Sequence, residues 1–166
     1  MTKALLLVGA PGTGKSTTLG ALSSELERRE IPHGSFETEQ LSMGWPLLPA
    51  SAWIPALTAV LTQQRTAGRD LFLLAATPES PSDLIALHAA IPADALHTVC
   101  LSAPPDVVAT RLDAREPDSW PGKHHLITHA RRLSIEIPTF PGISTTITTT
   151  NRSPASIAEE LLTSMG

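Results

Sequence analysis

At 166 residues and a formal net charge of −4, the chain is sized for one domain with a core of its own. The acidic balance argues against a nucleic-acid binder, and no apolar run approaches the roughly 20 residues needed to span a bilayer. The start lacks the basic stretch and small-residue cleavage site of a secretory signal, so a soluble cytoplasmic protein, monomer or homodimer, is expected.

Taken in chain order, apolar runs alternate with helical patterns, the signature of a parallel sheet covered on both faces. Strands are expected at 4–8, about 33–37, 71–76, 97–102 and 144–149. A helix over 15–30 places Leu19, Leu22 and Leu26 on one stripe, and another over 52–67 aligns Trp53, Leu57, Val60 and Leu61. A short helix at 82–90 has Ser80 or Ser82 as its N-cap. The helix over 105–116 turns Val107, Val108 and Leu112 inward, that near 123–136 carries Leu126, Ile127, Ala130 and Leu133, and the last, over 154–164, caps the fold with Ile157, Leu161 and Leu162. The lone Cys100, inside an apolar run, is expected to be a small buried hydrophobe. Nothing marks a domain boundary, so residues 1–166 are read as a single domain. Two segments break the alternation. One is a substrate-side loop at about 40–52, and the other a lid at about 113–131, each beside the carboxyl end of a strand, where open parallel sheets place ligands.

The run Gly9-Ala10-Pro11-Gly12-Thr13-Gly14-Lys15-Ser16 fits the phosphate-binding pattern G-x-x-x-x-G-K-[ST] at every fixed position, after a strand-like stretch and before a helical one. Its glycines let successive N–H groups turn inward toward phosphate oxygens, and the following helix adds its positive end. Lys15 supplies a mobile charge for the β- and γ-phosphates, and the Ser16 hydroxyl suits Mg²⁺. These residues and the next, Thr17, are expected to hold a nucleoside triphosphate.

The second strand runs into Phe36-Glu37-Thr38-Glu39, where alternation puts both carboxylates on one face. One can accept a proton from a substrate hydroxyl while the other holds Mg²⁺ through water, with Glu39 favoured as the base. The third strand ends in Thr77-Pro78 with no aspartate, so the weight of metal and proton chemistry falls on this pair. Arg111 and Arg115 project from one helix face, and Arg131 and Arg132 lie beyond the Pro/Gly/Trp segment, all candidates for closing positive charge over a transferred phosphoryl group. His124, His125 and His129 lack a third ligand at suitable spacing and are read as part of a solvated lid helix. In the turn after the last strand, Arg152 is positioned to stack on a nucleotide base, and Ser153 to cap the final helix.

On these residues the chain resembles the small P-loop kinases, the group of shikimate kinase, gluconate kinase, chloramphenicol phosphotransferase and the adenylate-kinase-like enzymes. The resemblance implies a three-layer α/β/α P-loop fold with five parallel strands in the order 2-3-1-4-5. It places Glu37 and Glu39 where shikimate-kinase-like members carry two aspartates. Arg115, and more loosely Arg131 or Arg132, match the lid arginines, while Arg111 matches the arginine that packs on adenine. The implied activity is transfer of the ATP γ-phosphoryl group, with Mg²⁺, to a hydroxyl of a small molecule. A nucleoside or nucleotide kinase and a nucleotide-dependent switch are the alternatives. The switch is disfavoured by the lack of Asp-x-x-Gly after the third strand and of an Asn-Lys-x-Asp motif. Met43, Trp45 and Leu48 in the substrate-side loop suggest an acceptor with nonpolar or ring surface.

Overall fold

The computed structural model describes residues 1–165. Five parallel strands, β1 (Lys3–Val8), β2 (Gly34–Glu37), β3 (Leu71–Ala76), β4 (Ala95–Ser102) and β5 (Thr145–Thr148), form one sheet in the order β2-β3-β1-β4-β5. Helices α1 (Lys15–Arg28), α2 (Ala50–Thr66), α3 (Pro81–Ala90), α4 (Pro105–Arg115), α5 (Lys123–Glu136) and α6 (Pro154–Met165) cover it.

The two-residue period of β1 divides its continuous apolar run between two cores. Ala4, Leu6 and Val8 pack with Leu57 and Leu61 of α2, Leu84 and Leu87 of α3, and Leu133 of α5. Leu5 and Leu7 face the other way, against Leu19, Leu22 and Leu26 of α1 and Ile157 and Leu161 of α6. Handedness explains which helix goes where. The connection from β1 to β2 runs toward one edge of the sheet, whereas those from β2, β3 and β4 run toward the other. Right-handed crossovers therefore put α1 on one face and α2, α3 and α5 on the opposite face.

The elements lie close to their expected positions, and Ser80 is the N-cap of α3, accepting from the Asp83 N–H at 3.2 Å. One difference bears on the site. Strand pairing of β2 stops at Glu37, opposite Ala75, and a 3-10 turn occupies Thr38–Ser42 with Thr38 wholly buried. Glu39 therefore belongs to a turn, not to a strand face shared with Glu37.

Leu7 is fully buried while Trp45 is 97% exposed, which separates core from loop in a direct comparison. Leu7→Ala is expected to lower the urea-unfolding free energy by about 2–5 kcal/mol. Trp45→Ala should change it by no more than about 0.5 kcal/mol. A large loss on removing Trp45 would contradict its exposed placement.

Candidate functional site

The carboxyl end of β1 runs directly into the phosphate-type loop, and crowding explains its glycines. A side chain at Gly9 would strike the Leu101 carbonyl oxygen and sit 2.7 Å from Thr13 Oγ1. Gly12, at φ +83°, packs so closely under α4 that a Cβ would lie 3.1 Å from both Leu112 Cγ and the Val108 carbonyl oxygen. Thr13 Oγ1 is buried and donates to the Ala10 carbonyl at 2.8 Å, fastening the loop from within.

Above this loop opens a cleft of about 530 Å³. Its lining includes Pro11 through Thr18, both Glu37 and Glu39, Thr77, Arg111, Arg115, Thr149 and Arg152. Lys15 Nζ donates to the carbonyl oxygens of Gly9 at 2.8 Å and Ala10 at 3.1 Å. Burial pushes its ammonium down to about 8, opposed by the negative charges of Glu39 and Glu37. Beneath it, burial pushes the Cys100 thiol up to about 11, so this fully buried cysteine behaves as the inert hydrophobe expected from sequence.

Glu39 is fixed by two contacts: its Oε1 accepts the backbone N–H of Thr77, and its backbone carbonyl accepts Ser42 Oγ at 2.7 Å. Arg111 is bound into the framework, donating to the Gly12 carbonyl at 3.2 Å, to Thr149 Oγ1 at 3.0 Å and to the Thr149 carbonyl at 3.2 Å. Arg115, the next turn along α4, pairs only with its neighbour Glu116, at 2.6 Å. Ser153 Oγ accepts the Ser156 N–H at 3.1 Å, the capping contact expected of it, whereas Arg152 lines the cleft with its guanidinium paired to Glu160 at 2.5 Å.

Other candidates lie elsewhere. Arg131 pairs with Asp106 and Arg132 with Glu136, on the outer surface of the α4–α5 pair and away from the cleft. Both guanidiniums face solvent because the inward stripe of α5 is taken by Ala130 and Leu133. Between α4, which ends at Arg115, and α5, which begins at Lys123, the chain is tied down by the Lys123 ammonium, which grips Asp113 at 2.9 Å and Asp118 at 2.6 Å. Met43, Trp45 and Leu48 are 72%, 97% and 49% exposed and line neither this cleft nor the cavity beside it. His129 Nε2 meets Glu79 Oε1 at 3.0 Å, and no group of three metal-type ligands exists among the described residues.

A second cavity, of about 300 Å³, adjoins the cleft and shares Glu39 and Thr77 with it. Thr38, Ser42, Trp53, Ile54, Glu79, Asp83 and Leu87 complete much of its wall. Sequence periodicity had assigned Trp53 to the core stripe of α2, and nothing in the local pattern marked Glu79 or Asp83. Both follow the third strand closely, which is the one signal that could have nominated them.

No family model and no curated protein sequence matches the chain. Solved structures do. A sugar kinase from a Janibacter species is 17% identical, with a TM-score of 0.71, covering 98% of this chain and 94% of its own. A gluconokinase from Sinorhizobium meliloti is 20% identical, with a TM-score of 0.66, covering 97% and 90%. The chain has the small P-loop kinase fold. A shikimate kinase from Acinetobacter baumannii, solved with shikimate, shares that fold at 17% identity and a TM-score of 0.60, covering 99% and 93%. The strand order and sandwich of the small P-loop kinases are thus present end to end here, at identities that establish architecture and leave the chemistry to the residues.

The two carboxylates that oppose the burial of Lys15 generate a test. The ¹⁵N-detected titration of Lys15 Nζ should inflect near pH 8, and Glu39→Gln should move it lower, because a charge that favours the ammonium has been removed. An unchanged or higher midpoint in the variant would mean that Glu39 does not act on this amine.

Proposed function

We propose that the protein transfers the γ-phosphoryl group of ATP to a hydroxyl of a small molecule, with Glu39 as the general base. The supporting observation is that Glu39 lines both cavities, the one built on the phosphate-type loop and the one beside it. A carboxylate at that junction can take a proton from a hydroxyl in the second cavity while a phosphoryl group approaches from the first. Its hold on the Thr77 amide fixes the carboxylate in place before substrate arrives. The kinase neighbours with the same fold support a phosphotransferase.

The loop amides and the N-terminus of α1 would receive the phosphates, with Lys15 exchanging its two carbonyl partners for phosphate oxygens. Arg115 has only an exposed pairing with Glu116 to give up, so it can turn onto the transferring group at little cost. Arg111, by contrast, holds the underside of the loop against α4 and the turn after β5, a positioning role.

The Ser16 hydroxyl and the Glu37 carboxylate line the same cleft and are hard oxygen donors, the set that suits Mg²⁺. Bound there, Mg²⁺ would neutralise charge on the β- and γ-phosphate oxygens.

Lys15→Ala should abolish acceptor-dependent ADP release while the circular dichroism spectrum stays native; near-normal turnover would defeat the proposal. Glu39→Gln is expected to lower kcat by about 10²-fold or more, the usual scale of general-base loss. Full activity in that variant would remove Glu39 from the proton transfer. Because phosphate binding favours the charged lysine, nucleotide affinity should weaken as pH rises through about 8, the Lys15 midpoint. A flat profile by isothermal titration between pH 7 and about 9.5 would show that the ammonium contributes nothing to nucleotide binding.

A further inference from the structure

We propose that the phosphoryl acceptor is a hydroxylated organic amine, bound as its ammonium in the cavity that Glu39 shares with the phosphate cleft; this rests on the phosphotransferase function above. The cavity is concave, contiguous with the cleft and, at about 300 Å³, close to the lower limit of ordinary small-molecule sites, so it admits about one substituted ring. Its apolar wall comes from Trp53 and Ile54 of α2 and Leu87 of α3. Its charged groups are Glu39, Glu79 and Asp83, and among the described residues no Lys, Arg or His lines it.

The contacts of these carboxylates leave room for a cation. Asp83 Oδ2 accepts the Glu79 N–H at 3.1 Å, while no hydrogen bond to its Oδ1 is formed among the described residues. Glu79, at the rim with its side chain 62% exposed, meets only His129 Nε2, through Oε1. Inside, the wholly buried Thr38 donates its hydroxyl to Glu39 Oε2 in a long contact of 3.5 Å. An acceptor bearing a carboxylate, sulfate or phosphate would have to approach three like charges in a partly desolvated space, which is how sites reject wrong partners. An ammonium gains from the same charges, and the indole of Trp53 offers it an aromatic wall.

The chemistry balances without a further reactant. The acceptor oxygen bonds to the γ-phosphorus, and the bond from that phosphorus to the β,γ-bridging oxygen breaks to leave ADP. The hydroxyl proton passes to the Glu39 carboxylate. The ammonium stays protonated throughout and serves recognition alone, and the product is the phosphate monoester of the amine.

The test measures ADP release with Mg²⁺ and ATP for matched acceptors, namely glucosamine, glucose and glucuronate, and an aminocyclitol beside its parent cyclitol and a cyclitol carboxylic acid. The amine of each set should show a KM at least about tenfold below that of the neutral member, and the acid should be inert. Glu79→Gln combined with Asp83→Asn, which keeps hydrogen-bond acceptors and removes charge, should erase the amine preference and leave the KM for ATP unchanged. Glu79→Gln alone, at an exposed position, should weaken the preference even if the double variant folds poorly. Turnover that favours neutral or acidic members overturns the amine assignment and leaves the phosphotransferase standing. ATP binding with no acceptor raising ADP release above the water background overturns both.

Discussion

A lysine ammonium drawn out of water at the end of the central strand, with two carboxylates facing it, is the constraint around which this molecule is arranged. Burial lowers the affinity of Lys15 for its proton, and Glu39 and Glu37 act against that effect. β2 and the turn that follows bring to the same cleft the two carboxylates that favour the charged form of Lys15. The sheet order is what makes this possible. β1 lies at the centre between β3 and β4, and β2 is separated from it by β3 alone, so chain ends distant in sequence converge above the loop.

The loop itself is held from below by Arg111. One guanidinium ties together the Gly12 carbonyl, the Thr149 hydroxyl and the Thr149 carbonyl, and so couples α4, the phosphate-type loop and the end of β5. The next arginine along the same helix face, Arg115, is itself exposed and has only its sequence neighbour Glu116 for a partner. One helix stripe thus supplies both a fixed strut and a movable cation, and the difference arises from what each residue finds within reach.

Charge is also sorted between the two cavities. Lys15, Arg111, Arg115 and Arg152 all line the first, together with Glu37, whereas the charged residues of the second are Glu39, Glu79 and Asp83, with Glu39 at the boundary. A polyanion and a cationic or neutral partner would therefore settle on opposite sides of that carboxylate. That polarity suits the phosphoryl transfer proposed above.

Much of this was legible in the sequence because it is local. The period of two in β1, the leucine stripe of α1 and the octapeptide from Gly9 to Ser16 each depend on neighbours a few residues away, and backbone geometry translates them directly. Glu37 and Glu39 were nominated by the end of the second strand and Arg111 and Arg115 by their shared helix face, and all four line the cleft. Tertiary structure decided the rest. Arg131 and Arg132 find Asp106 and Glu136 on an outward face, a pairing set by how α5 docks on α4. Trp45, prominent in the sequence, stands in solvent, while Trp53 packs against the core as its stripe implied and also walls the second cavity. Periodicity reports which residues share a face, but what that face meets depends on the packing of elements far apart in the chain, and the second cavity is made almost entirely of such meetings.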